Sequence, residues 1–203
     1  MSDPLRAGVW IVATGNAGKL AEMRALLGDL PVSLRSLADL PGLALPPEGD
    51  DYAANARAKA RAAALDAGLP ALADDSGLEV DVLGGRPGVR SARYGGPALD
   101  DAGRVALLLQ ELAGVPPARR GARFVCVAAL VTPDGESVLA EGRCEGRILE
   151  APRGTGGFGY DPIFAPEGRD VSMAELAGAE KNLLSHRGRA LVALRARLLV
   201  RQD

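Results

Sequence analysis

The stretch VWIVATGNAGKLAEMRALL, residues 9–27, contains the change of pattern that decides the fold. Val9–Thr14 is a short apolar, β-branched run and reads as a buried strand. Gly15–Gly18 is a turn. From about Lys19 to Leu27 the apolar residues Leu20, Met23, Leu26 and Leu27 share one helical face, and Gly28-Asp29 closes the helix. The junction also has a chemistry. Glycines let backbone N–H groups approach an anion closely, a helix N-terminus adds a partial positive charge, and Lys19 adds a full one. Thr14, Gly15, Asn16, Ala17, Gly18 and Lys19 are therefore a candidate phosphate cradle. The common P-loop is excluded: it needs four residues between its glycines and Ser or Thr after the lysine, whereas two separate Gly15 from Gly18 and Leu20 follows Lys19. An ordinary strand–helix turn is the competing reading.

Outward from this unit the alternation continues. Val32–Leu37 reads as a second strand and Pro41–Asp51 as a loop rich in Pro, Gly and acids. Tyr52–Ala67 is almost all Ala, Arg and Lys, a helix stopped by Gly68. Ala71–Ala73 starts a strand that ends in Asp74-Asp75-Ser76-Gly77. Leu78–Leu83 alternates apolar and acidic residues as a half-wet strand, and Gly84–Pro97 reads as a long loop. Asp100–Leu112 is a helix. Arg123–Thr132 and Ser137–Cys144 flank Pro133-Asp134-Gly135 as a hairpin, with Arg147–Glu150 as an extension. Ser172–Glu175 has capping-box spacing for a short helix, and a final helix is expected from about Ser185 to Arg201. Early alternation with a late hairpin predicts an α/β fold with a mixed sheet.

The 203 residues suit one α/β domain, 1–203, and 47% apolar content argues against disorder. A net charge of −2 argues against broad nucleic-acid binding. No secretory signal core or membrane-length apolar run is seen, and Cys126 and Cys144 lack metal-type spacing. The expectation is a cytoplasmic protein with neither membrane nor nucleic-acid partner. Rare residues are clustered. The lysines are Lys19, Lys59 and Lys181, the asparagines Asn16, Asn55 and Asn182, and the one histidine is His186. In a chain that otherwise uses Arg and Ala, this grouping points to three functional segments.

Each segment carries a chemical reading and a plainer one. Adjacent Asp74 and Asp75 can hold Mg²⁺ and polarise a water; because strand side chains alternate, one would be catalytic and the other supporting. A simple Asp/Ser/Gly turn is the alternative. Asn55 and Lys59, at i and i+4, share a helix face that could meet phosphates, against plain solvent exposure. Phe158 and Tyr160 on a Gly-rich loop suggest a base-stacking surface, against simple anchoring of the loop. Ser185 is a natural N-cap, which would put His186 and Arg187 at a helix start with donors aimed at a ligand. A nucleophilic Ser or Cys triad is disfavoured, since His186 lies far from any elbow motif.

Taken together, the segments resemble the inosine triphosphate pyrophosphatase family, also called XTP/dITP pyrophosphatases. The matching pieces, in order, are TGNAGK (14–19), NARAKA (55–60), ADDSGLEVDVLGGRPGVRSARYGG (73–96), GTGGFGYDPIF (154–164) and AEKNLLSHRGRAL (179–191). The resemblance implies an elongated α/β fold, with a central mixed sheet flanked by helices and a cleft between two lobes of a single domain. It also implies a homodimer and Mg²⁺-dependent hydrolysis of ITP, dITP and XTP to monophosphate and pyrophosphate. Asp75 matches the catalytic carboxylate, and Ser76 lies beside the substrate. Thr14–Lys19 match the phosphate loop, and Phe158, Gly159, Tyr160, Asp161, Lys181, His186 and Arg187 match nucleotide-binding positions. Glu48 and Asp75 are the expected metal ligands. Glu48 is one residue out of the family's register, so Asp50 and Asp51 are substitutes. Arg187, His186 or backbone N–H groups near Phe158–Asp161 would read the 6-keto group of the base. A nucleotide-sensing module without useful hydrolysis is the alternative in another class.

Overall fold

The computed structural model describes residues 8–200; Arg201, the expected end of the last helix, lies outside them. In chain order the elements are β1 (Gly8–Val12), α1 (Ala17–Leu27), β2 (Val32–Ser36), α2 (Tyr52–Ala67), β3 (Ala71–Val80), β4 (Pro87–Gly88), α3 (Asp101–Glu111), β5 (Gly121–Val131), β6 (Ser137–Ile148), β7 (Phe164–Pro166), α4 (Gly178–Leu184) and α5 (His186–Val200). The seven strands form one sheet in the order β2-β1-β3-β5-β6-β7, with β4 on β3. β1 runs parallel to β2 and β3, while β4 is antiparallel to β3 and β7 to β6. The sheet is mixed, as the sequence predicts.

Packing divides the chain into two compact units, one comprising residues up to Asp75, Cys126–Gly142 and the chain from Arg187, the other Ser76–Val125 and Arg143–His186. In the first unit the sheet is buried on both faces, and period two sorts its side chains. Trp10, Val12, Leu72, Cys126, Ala128 and Leu130 face Met23 and Leu27 of α1 and Leu191, Leu194 and Leu198 of α5. Ile11, Ala13, Ala71, Ala73, Val127, Ala129 and Val131 face α2. The alanines that α2 presents, Ala56, Ala60, Ala63 and Ala64, are fully buried, so small side chains hold this helix close against the strands. The second unit has its own core, in which Leu78, Val80, Phe124, Ile148 and Phe164 meet Val105 and Leu108 of α3 and Leu112 just after it.

Several local expectations are corrected. Asp74-Asp75-Ser76-Gly77 does not end a strand: β3 runs through it to Val80, and Asp81–Leu83 is a 3₁₀ turn rather than more strand. Turn-prone residues yield here to the sheet: β3 pairs with β1 only at Ala71 and Leu72 and runs on beside β5. The expected loop 84–97 contains β4 and a 3₁₀ turn at Ser91–Arg93. The expected capping box at Ser172 and Glu175 is present, the Glu175 carboxylate accepting from the Ser172 N–H at 2.7 Å, and the short helix it opens is a 3₁₀ turn, Met173–Glu175. α4 was not expected; seven residues are too few to display a period.

Candidate functional site

Adjacent residues on a strand face opposite ways, and Asp74 and Asp75 do so within the first unit. Asp74 falls on the α1/α5 face. Its Oδ2 accepts from Arg187 Nε at 3.2 Å and Nη2 at 2.9 Å, and Lys19 Nζ lies 3.1 Å away. Arg187 Nη1 also pairs with Glu22, and the Cys126 thiol donates to Asp74 at 3.6 Å. Burial favours the neutral acid, but Lys19, Arg187 and Lys59 outweigh it and hold the Asp74 carboxyl far below the ordinary aspartate range. Burial pushes the Cys126 thiol up, which makes it inert. Lys19 and Arg187 thus both meet the Asp74 carboxylate, and Arg187 reaches Glu22 as well.

Asp75 falls on the α2 face. Its Oδ2 accepts from Asn55 Nδ2 at 2.8 Å, and its Oδ1 lies 3.1 Å from Lys59 Nζ. The same ammonium donates to Glu48 Oε1 at 2.8 Å. Asn55 also fastens the loop beside Glu48, accepting from Gly49 N–H at 2.7 Å and donating to Gly49 O at 3.1 Å. Burial, with Glu48 adding to it, raises the Asp75 carboxyl above its usual value although Lys59 and Asn55 pull the other way. Burial opposes the charge on Lys59, but Asp75, Glu48 and Asp74 raise its ammonium above its usual value. Asp75 and Glu48 thus share the Lys59 ammonium, whereas the Asp74 carboxylate is met by two cations.

That difference bears on metal. Among the described residues no group of three or more His, Cys, Asp or Glu could hold an ion by itself. Mg²⁺ characteristically takes one or two carboxylates and completes its shell with phosphate and water. Glu48 and Asp75, two carboxylates brought together on the Lys59 ammonium, are oxygen donors of the kind that requirement asks for. Asp51 is otherwise engaged: its Oδ1 caps α2, accepting from Ala54 N–H at 2.6 Å.

Other predicted residues are placed as follows. Asn16 is the N-cap of α1; its Oδ1 accepts from Lys19 N–H at 2.9 Å, and its own N–H donates to Thr14 Oγ1 at 3.2 Å. Gly15, Asn16 and Ala17 are exposed, and Thr14, Gly18 and Lys19 half-buried. A Cβ on Gly15 would meet nothing within 4 Å, so an anion has open access to that backbone. Asn55 and Lys59 are buried rather than solvated, and Asn55 holds Asp75 and Gly49 instead of presenting its amide to phosphate. Arg187 departs most from expectation. It is 1% exposed, with its guanidinium turned onto Asp74 and Glu22, so it serves as the counter-ion of Asp74 and not as a donor aimed outward. The reason is electrostatic: a buried carboxylate requires a buried cation. Glu22 went unnoticed in the sequence, although its place three residues after Lys19 puts both on one helix face.

In the second unit, Asp161 Oδ2 accepts from Phe158 N–H at 2.8 Å and Lys181 Nζ at 2.6 Å, and that ammonium stands 5.0 Å from the Phe158 ring centroid. Phe158 is half-buried. A Cβ at Gly157 would strike Asp161 Oδ2 at 2.1 Å, so glycine is required there, and its φ of +73° adds to that requirement. Tyr160 is not part of a stacking surface. It is 5% exposed, packs in the core and donates its hydroxyl to Ser91 O at 3.1 Å. His186 is buried with its ring stacked on Phe124, centroids 4.7 Å apart. Ser76 is the half-buried residue after Asp75 on β3.

The sequence profile of the Ham1 family matches residues 10–197. The chain belongs to the Ham1 family. A relative from Geobacillus kaustophilus, a dITP/XTP pyrophosphatase, is 50% identical over 185 residues, 91% of each chain. A HAM1 protein from Coxiella burnetii superposes with a TM-score of 0.84 at 41% identity, covering 94% of this chain and 98% of that one. The dITP/XTP pyrophosphatase of Mycobacterium abscessus does so at 0.73 and 50% identity, covering 92% and 98%. Both the family and the mixed α/β fold of its solved members agree with the resemblance carried by the five sequence segments. The Ham1 profile also spans both units, taking in β3 with its two aspartates and the Phe158 loop.

Proposed function

We propose that the chain hydrolyses abnormal purine nucleoside triphosphates (dITP, XTP and ITP) to the monophosphate and pyrophosphate. The observation that carries the reading is the division of labour on β3: one carboxylate locked as a counter-ion, its neighbour raised toward basicity and held by Asn55 and Lys59. The dITP/XTP activity of relatives at 50% identity supports the choice of substrate.

Asp75 is the general base. A raised carboxyl is a stronger proton acceptor than an ordinary aspartate, and Asn55 and Lys59 fix its plane. It takes a proton from a water whose oxygen bonds to phosphorus as the α–β phosphoanhydride breaks and pyrophosphate leaves. Lys19 and the Gly15–Gly18 turn bind phosphate oxygens. Asp74 cannot share the base's role, because Lys19 and Arg187 hold its carboxyl far below the ordinary range and make it a poor proton acceptor; it holds Lys19 in place instead. Mg²⁺, bound by Glu48 and Asp75 together with the substrate, would neutralise phosphate charge. Phe158 offers the base a stacking face, with Lys181 and His186 as donors. A donor meant for the 6-keto group is left unpaired by the amino group of ATP, a mismatch that gives large discrimination. We further read the enzyme as a cytoplasmic homodimer acting on free nucleotides. The two cysteines are buried thiols, which suits a reducing compartment, and no described helix is long and apolar enough to cross a membrane.

The test is incubation with Mg²⁺ and, separately, ITP, XTP, GTP and ATP, with identification of the phosphate products. Pyrophosphate and monophosphate from ITP and XTP, with little from GTP and ATP, is the expected result. Single phosphate from all four would overturn the reading.

A further inference from the structure

The loop that carries Phe158 is held unevenly. On its early side it is confined: a Cβ at Gly154 or Gly156 would come within 2.7 and 2.8 Å of Ala174 O, and one at Gly157 within 2.1 Å of Asp161. Past Phe158 the confinement ends, and a Cβ at Gly159 would meet nothing within 4 Å. Beneath this part of the loop lies a largely apolar cavity of about 480 Å³, floored by Ala102, Val105, Ala106 and Leu109 of α3. Close packing therefore does not fix Phe158 from the α3 side. A charge-assisted hydrogen bond crosses there instead: Gly159 N–H donates to Asp101 Oδ2 at 3.0 Å. The carboxylate is itself oriented, because its Oδ1 accepts from Arg104 Nη1 at 3.1 Å one helical turn on. Phe158 thus stands between two carboxylate-anchored N–H groups, its own on Asp161 and its neighbour's on Asp101.

We propose that Asp101 is a positioning residue for base recognition, setting the place of Phe158 through Gly159 N–H. It does not touch the reacting phosphates, so it acts on KM and on selectivity for the base rather than on turnover. The inference rests on the reading that Phe158 meets the base. Asp101 is also dispensable for helix α3, which is capped by the preceding residue, Asp100, accepting from Gly103 N–H at 2.8 Å.

The experiment compares Asp101→Ala, Asp101→Asn, Phe158→Ala and the Asp101→Ala/Phe158→Ala double variant, by kcat and KM for XTP with pyrophosphate release as readout. Asp101→Ala should raise KM about tenfold, the scale of one charge-assisted hydrogen bond, and leave kcat within about twofold. Asp101→Asn, which keeps an acceptor for Gly159, should recover most of the loss. The double variant should be no worse than Phe158→Ala, since both changes remove one function. A normal KM in Asp101→Ala alongside a raised KM in Phe158→Ala overturns the proposal while the base-stacking reading stands. A normal KM in Phe158→Ala overturns both. Fully additive losses, or a fall in kcat without change in KM, also overturn it. Asp101→Ser, a good residue for a helix start but too short to reach Gly159, supplies the same comparison should the alanine variant not fold.

Discussion

Asp74 and Asp75 are neighbours in the chain, yet Asp74 meets both Lys19 and Arg187, while Asp75 must share the single ammonium of Lys59 with Glu48. Both are buried, at 2% and 3% exposure, so burial does not distinguish them. The number of cations does. Where two cations meet one carboxylate, its pKa is held down and it is a weak base; where one ammonium is shared with a second carboxylate, the proton is held more tightly. A strand that is covered on both faces provides two such environments one residue apart.

The largest expected effect breaks the Asp75 side. Asp75→Asn should fold normally, keep an oxygen acceptor for Asn55 Nδ2, and lose about 10²–10⁴-fold in turnover, the range of a removed general base. Near-normal pyrophosphate release from this variant would refute the assignment. Asp74→Ala should instead act first on stability. It removes the buried carboxylate that both Lys19 and Arg187 meet, at a cost of about 3–5 kcal/mol. Denaturant melts compare the two variants, and equal loss of stability would erase the distinction drawn between them.

The acid limb of stability sharpens the comparison. The Asp74 carboxyl is held below its unfolded value, so its stabilisation is complete above the ordinary aspartate pKa of about 3.9 and is withdrawn as pH falls below that. Wild type should therefore lose stability on acidification more steeply than Asp74→Asn, and the two curves should converge at low pH. Parallel curves would show that Asp74 carries no such linkage. The smallest effect expected is that of Glu48→Gln, which leaves Asp75 and Lys59 paired. It should raise the Mg²⁺ concentration for half-maximal activity by about tenfold, the effect of about 1.4 kcal/mol of lost binding. No change in the Mg²⁺ requirement would shift the second ligand elsewhere.

Much of this was legible in the residues. The strand–turn–helix at 9–27 and the helix Tyr52–Ala67 lie within a residue or two of expectation, and the hairpin around Pro133-Asp134-Gly135 forms with its second strand running on to Ile148 rather than stopping at Cys144, because period and punctuation are local properties. The opposed facing of Asp74 and Asp75 also followed from strand geometry alone. The direction of each side chain's partners did not. Arg187 and Tyr160 read as ligand-facing from their motifs, yet one is buried on Asp74 and Glu22 and the other is in the core of the second unit. A motif marks where a residue matters, without saying whether it faces ligand or protein.

The sequence by itself determined the class of fold, the family and the short segments in which the chemistry gathers, because these depend on composition, spacing and periodicity along the chain. Only the tertiary structure decided which aspartate is neutralised and which is left basic, that Glu48 rather than Asp51 stands with Asp75, and that Asp101 reaches the Phe158 loop. Those outcomes depend on which side chains from distant segments meet in a buried site. There charges must be balanced locally, and the balance depends on the three-dimensional neighbours rather than on the order of residues.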